Sequence, residues 1–328
     1  MMAALAVGLG ALLTGFVGAN NSASEMGAAY GAGIRTKRQA LAIIAVFAFL
    51  GAWTAGVPVI RTLGGGLVPA EVSAAHVAAS VFLVLALAAI YDGVASWLGT
   101  PVPTTQAMVC GIIGVGLAYG ALNIEKVRVI LAWWILGPLF SLVVNYLFEK
   151  SLYFRVLERV TRRLHTEHRI RQVLGGLVTL TGCYIAFASG ANGAAKGIGP
   201  VVGAGFLSPE TAALIGGASL AAGALLLGGR GLETVGRRIT SIGELRAAVL
   251  KITAATIMLV AARTGIPLSV TQTVTSGVIG VSWARHGWRE TWRNEHVGRI
   301  LTFWSLGPVV IVGLAWGLAR LGQRVWGW

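Results

Sequence analysis

An all-α integral membrane protein is expected from this chain, built as two inverted-topology repeats with discontinuous helices and re-entrant segments. Three observations lead there. Charged residues make up 12% of the 328 residues and hydrophobic ones 55%, with a mean hydropathy of +0.76, where a soluble domain carries about 25% charged residues. Several apolar runs approach the roughly 20 residues that a helix needs to cross a bilayer. The same motifs also occur twice in the same order. Gly18-Ala19-Asn20-Asn21-Ser22-Ala23-Ser24 returns as Gly190-Ala191-Asn192-Gly193-Ala194-Ala195-Lys196, and Pro101-Val102-Pro103-Thr104-Thr105-Gln106 as Pro267-Leu268-Ser269-Val270-Thr271-Gln272. Residues 111–115 return as 277–281 and 134–138 as 304–308, so that the four offsets are 172, 166, 166 and 170 residues. A doubled unit in a membrane chain is the usual plan of a secondary transporter.

In chain order, the first apolar run starts at Met1, lacks a basic leader and passes straight into a repeat motif, so it is read as a retained helix and not a signal peptide. Further spans are expected at 39–59, 72–90, 127–148, 211–228, 245–262 and 300–318. The 46 glycines lie inside apolar sequence, where they suit close helix packing and locally unwound backbone. The repeats divide the chain into 1–148 and 172–328, joined by a basic linker at 149–171.

The net charge of +14 is unevenly placed. Segments 35–38, 149–171, 229–246 and 285–299 hold 18 of the 26 Lys and Arg, which assigns them to the cytoplasmic side. Loops 61–71, 119–128, 203–209 and the C-terminal tail are poorer in basic residues. Matching loops therefore fall on opposite sides: 35–38 is basic and its counterpart 203–209 has no Lys or Arg. Both termini are expected outside and the linker inside, as an amphipathic surface helix against anionic headgroups and not a nucleic-acid site. His165 and His168 lack the cysteine or carboxylate companions of a metal site, and Cys110 and Cys183 lack metal-like spacing. No metal, cofactor or catalytic constellation is expected, so the chain is not read as an enzyme. Asn20-Asn21-Ser22 spells a glycosylation sequon, but inside an apolar repeat motif it is not read as one.

The candidate binding residues are polar groups within spans, where polarity is tolerated if it lines a cavity or meets protein partners. Asn20, Asn21, Ser22 and Ser24, with Asn192, are expected at helix breaks whose amides and positive dipole ends face an anion. Thr104, Thr105 and Gln106, then Ser269, Thr271 and Gln272, each follow a proline, where hydroxyls can cap a helix and offer neutral donors to a tetrahedral oxyanion. A charge at mid-bilayer costs about 2.5–3.5 kcal/mol, so an ionisable residue there is a functional candidate. Lys196 is the counter-charge for the anion and Glu25 the candidate proton carrier; Asp92, near the end of its span, is placed at an interface.

These motifs resemble those of the inorganic phosphate transporter (PiT) family, whose signature is a duplicated Gly-Ala-Asn-Asp-Val-Ala-Asn motif paired with a duplicated Pro-Val-Ser-Thr-Thr-His motif. The likeness covers nearly the whole chain, including a glycine-rich loop at 228–236. It implies inverted repeats, commonly assembled as a homodimer, whose motifs meet around the anion. Asn21 and Gly193 stand where the family has Asp, Gln106 and Gln272 where it has His, Lys196 where it has Asn, and Val270 where it has Thr. Because those aspartates are associated with sodium and phosphate in the family, sodium coupling is not carried over. Sulfate is a fully ionised dianion that takes donors only, whereas phosphate near neutral pH still carries protons and benefits from an acceptor. Exchange of carboxylates for Asn, Gly and Lys turns the site toward donors, and the pattern, with residues 26–33, looks like the bacterial sulfate permease branch. The expectation is an inner-membrane transporter importing sulfate, coupled to protons, by alternating access. A phosphate symporter with an altered cation site is the alternative that substrate competition separates, and a passive anion channel the one that turnover separates.

Overall fold

The computed structural model describes residues 1–68, 74–97, 103–239 and 243–326, with no side chains described for 74–78, 95–97, 234–239 and 326. Pro101 and Val102 of the second motif lie outside the described residues. Among the described residues there is no strand. The first half contains α1 (Met2–Gly31), α2 (Lys37–Ala55), a short α3 (Val57–Arg61) followed by a π turn at Thr62–Gly66, α4 (Ala74–Trp97), α5 (Thr104–Tyr119) and α6 (Ile124–Leu147). The second half contains α8 (Glu167–Gly193), α9 (Ala195–Gly203), α10 (Pro209–Ile239), α11 (Glu244–Arg263), α12 (Val270–His286), α13 (Trp288–Arg293) and α14 (Glu295–Trp326). Between them lies α7 (Tyr153–Leu164), which buries none of its residues. Seven stretches among the described residues are long and apolar enough to cross a membrane, which makes this a multi-pass membrane protein.

Local chemistry sets the ends. Thr36 and Gln39 form a reciprocal capping box at the start of α2, with bonds of 3.3 and 3.1 Å. Asn123 caps α6 by accepting from the Lys126 amide at 3.0 Å. At the end of α5, Gly120 takes the left-handed conformation (φ 67°) that a side chain would resist.

Packing reproduces the sequence repeat. Helix α1 packs on α10 as α8 packs on α2, and α5 packs on α14 as α12 packs on α6. The close approaches sit at equivalent glycines. A Cβ at Gly18 would strike the Leu220 carbonyl, and one at Gly190 the Ala48 carbonyl; one at Gly51 would strike Phe187 and one at Gly223 would strike Gly15. In each of these pairs of contacts the equivalent residues are 172 apart, the first motif's own offset. Glycine here removes the side chain that would separate two helix backbones.

The helix directions are also on view. Lys37 at the start of α2 pairs with Glu233 near the end of α10 at 2.7 Å, and Arg61 beyond α2 pairs with Glu210 at the start of α10 at 2.9 Å. Half-exposed pairs of this kind add little stability, but they establish that α2 and α10 run antiparallel. Helix α1 likewise runs against α8 and α9: Gly10 meets Gly197, and Glu25 meets Gly182.

Two local expectations need correction. The first Gly-Ala-Asn motif does not break a helix, because α1 is continuous from Met2 to Gly31. Ser22 Oγ donates to the Gly18 carbonyl at 2.9 Å, so its polarity is absorbed within the helix without unwinding it. The second motif has only a slight interruption, at Ala194, where the backbone stays helical (φ −56°, ψ −38°). The glycine-rich stretch 228–236 is not a loop but part of α10; Gly228 and Gly229 pack against Ser22 and Lys37.

Candidate substrate site

The duplicated motifs converge. Asn21 on α1 is buried, and its Nδ2 donates to Ser189 Oγ on α8 at 2.9 Å, joining the two Gly-Ala-Asn motifs. One turn further along α1, Glu25 is 1% exposed; its carboxyl lies beside Ser189, and its Oε2 has no hydrogen-bond partner. Lys196, in the first turn of α9 and 3% exposed, interacts electrostatically with both Glu25 and Asp92.

Asp92, near the end of α4, is partly buried. Its carboxyl faces Thr104 and Lys196, and Oδ1 is buried without a partner. Lys196 offsets its charge.

Both pairs of motifs meet at one residue, Leu268. Asn192 Oδ1 accepts from the Leu268 amide at 3.1 Å, while Thr105 Oγ1 donates to the Leu268 carbonyl at 3.2 Å. Trp134 Nε1 holds the neighbouring Pro267 carbonyl at 3.0 Å. The connection between α11 and α12 is therefore held against the inner part of the long α8–α9 segment. Ser269 caps α12 by accepting from the Gln272 amide at 3.4 Å, as the motif predicts. The equivalent cap on α5 is absent: Pro103 occupies the N-cap position and no side chain caps it. Thr104, Gln106 and Gln272 are buried, and Gln106 Oε1 has no partner.

Several expected donors are placed otherwise. Asn20 is exposed, on the outward stripe of Leu5, Leu9, Leu12 and Phe16. Ser22 turns toward Gly228 of α10, away from α8. Asn192 uses both amide hydrogens on backbone carbonyls, Met258 at 3.1 Å and Ala188 at 3.3 Å, so it is a bracket for the Leu268 peptide and not a free donor. Thr271 is only partly buried.

One residue was not anticipated. Lys251, midway along α11, is 4% exposed; its Nζ has no hydrogen-bond partner and faces Glu25 on α1 and Cys183 on α8. Its signal was available in the sequence, because it is the one charged residue between Arg246 and Arg263 in an apolar run.

Two buried lysines with the buried Glu25 and the partly buried Asp92, ringed by amides and hydroxyls of the repeated motifs, fit a membrane transporter for an anion. The chain matches the phosphate transporter family over residues 17–315, and it belongs to that family. It is 31% identical over 307 residues to the sulfate permease CysP of Bacillus subtilis (strain 168), covering 93% of this chain and 84% of that protein. It is 24% identical over 423 residues to the chloroplastic inorganic phosphate transporter 2-1 of Arabidopsis thaliana, covering 94% of this chain and 72% of the relative. A solved structure of the sodium-dependent phosphate transporter aligns with a TM-score of 0.81 at 25% identity, covering 99% of each chain.

Proposed function

We propose that the protein is a secondary active transporter of a bacterial inner membrane that imports sulfate together with protons. Two inverted repeats, 1–148 and 172–328, alternate access to one central site, with the linker 149–171 in the cytoplasm, both termini outside, and a homodimer as the assembly. The observation that carries this reading is Lys196, a fully enclosed cation set between Glu25 and Asp92 at the junction of the repeated motifs. A buried ammonium among amide and hydroxyl donors suits a dianion that has no proton of its own to donate. The carboxyl oxygens left without partners on Glu25 and Asp92 are the places for coupling protons. Asn21 and Gly193, uncharged at the positions where the family carries aspartate, take away the negative charge that would hold sodium.

The antiparallel run of α2 and α10 supports inversion of the halves. The buried bond by which Asn192 holds Leu268 in the α11–α12 connection is in keeping with a re-entrant hairpin there.

The test is uptake of radiolabelled sulfate into proteoliposomes. An inward proton gradient is expected to stimulate it, sodium to leave it unchanged, and unlabelled sulfate to compete better than phosphate. Uptake that requires sodium and is competed by phosphate alone would assign the chain to the phosphate symporters instead. Macroscopic current without counterflow exchange would make it a channel.

A further inference from the structure

Glu25 lies between two lysines. Lys196 on α9 and Lys251 on α11 both interact with its carboxyl, and all three side chains are almost wholly removed from solvent. Hydrogen bonding does not account for the arrangement. Lys251 Nζ and Glu25 Oε2 are both buried without hydrogen-bond partners. An ammonium in a low-dielectric interior is costly unless its three protons are taken up. A lysine kept there with none of them hydrogen-bonded has donors to spare for a ligand.

The surroundings narrow what that is. The groups facing Lys251 are the Glu25 carboxyl on α1 and the Cys183 thiol on α8, with Lys196 beyond Glu25 and Asp92 beyond Lys196. A cation would be repelled by the two ammonium groups. An uncharged solute would leave the lysines unmatched. A doubly charged oxyanion supplies one negative charge for each lysine and has acceptor oxygens on every side.

We infer that Lys251 is a second anion-binding lysine, which with Lys196 forms a two-cation cradle for a dianion, and that Glu25 occupies this cradle as a built-in anion until substrate displaces it. The inference rests on the anion-transport reading and adds to it a second ligand and a competitor. It also explains why Glu25 sits beside the site: its carboxylate lowers the cost of holding two lysines close together in the empty protein.

Sulfate binding to the purified full-length protein, followed by calorimetry, tests it. Lys251→Met fills a similar volume without charge and is expected to weaken sulfate binding by about ten- to a hundredfold, the loss of one charge-assisted contact. Lys251→Arg, which keeps the charge, should bind within a few-fold of wild type. Glu25→Gln should bind sulfate more tightly than wild type, because the internal competitor is gone, and Lys251→Met/Glu25→Gln, in which Lys196 alone is freed, should recover part of the loss and stay weaker than wild type. Recovery of wild-type affinity in the double variant would mean that Lys251 only neutralises Glu25, and would overturn the inference. So would wild-type affinity in Lys251→Met, or, should that variant fail to fold, unchanged affinity in Glu25→Gln. Absence of sulfate binding by the wild-type protein would instead overturn the anion reading on which the cradle rests.

Discussion

In the proposed cycle Lys196 and Glu25 divide the work of binding and coupling between a cation and an acid. Lys196→Ala removes the ammonium and leaves Asp92 and Glu25 without their shared counter-charge. Sulfate affinity should fall about tenfold or more, measured as the dissociation constant of the purified protein; an unchanged constant would reduce Lys196 to a packing role. Glu25→Gln removes the group that can exchange a proton while keeping its shape. Uptake driven by a proton gradient should lose its pH dependence, and sulfate–sulfate exchange should continue. If the pH profile survives, Asp92 carries the proton instead. Much of this pocket could be read in the chain, because Asn21, Glu25, Thr104, Gln106 and Lys196 are polar residues in apolar surroundings and all prove buried or inward-facing. What the chain does not reveal is azimuth. Successive residues on a helix point about 100° apart, so Asn20, Asn21 and Ser22 cannot share one face, and only Asn21 meets α8. Lys251 escaped notice because it lies in none of the repeated motifs.

Helix contacts repeat as pairs, and this gives the glycines a testable meaning. Gly51→Val and Gly223→Val would drive a side chain into the Phe187 and Gly15 carbonyls, which cannot move without displacing a helix. Each should cost about 1–3 kcal/mol or more, and the two losses in thermal stability should be similar because the contacts are equivalent. Gly93→Val and Gly313→Val, where an added Cβ meets nothing within 4 Å, serve as the tolerant controls. A second device ties the linker to the second half. Glu149 takes both Arg246 Nε and Nη2 at 2.7 Å, and the Arg246 guanidinium lies 3.6 Å from the Tyr153 ring centre. The pair is mostly buried, so Glu149→Gln strands a cation and should lower stability by about 3–5 kcal/mol in denaturation measurements. An effect below 1 kcal/mol would mean that water reaches Arg246. Helix positions and the doubled plan were legible because hydropathy and motif spacing are one-dimensional signals. The continuity of α1 and of α10 was not, since glycine and serine serve equally for breaking a helix and for close packing, and only the partner helix decides which.

Sidedness follows from counting passages without deciding every one of them. The proposed inversion requires the pairs α4 with α5 and α11 with α12 each to contribute an even number of crossings; α11 by itself is long and apolar enough to cross a membrane. Each half then keeps α1, α2 and α6, or α8–α9, α10 and α14. On the proposed reading each half makes three such passages, an odd number, which would put the linker containing α7 on the side opposite both termini and start the second half from the side opposite the first. In that proposal the basic residues of α7 and its flanks favour the cytoplasm for the linker. In a variant with Cys110 and Cys183 replaced by alanine, a single cysteine at Thr161 on α7 should resist a membrane-impermeant maleimide in intact cells and react after permeabilisation. A single cysteine at Gln323 near the end of α14 should react in intact cells. Equal labelling of both sites from outside would break the parity argument, and with it the inversion that lets two like halves open one pocket alternately to either side. The reverse pattern would keep the inversion and turn the protein over in its membrane.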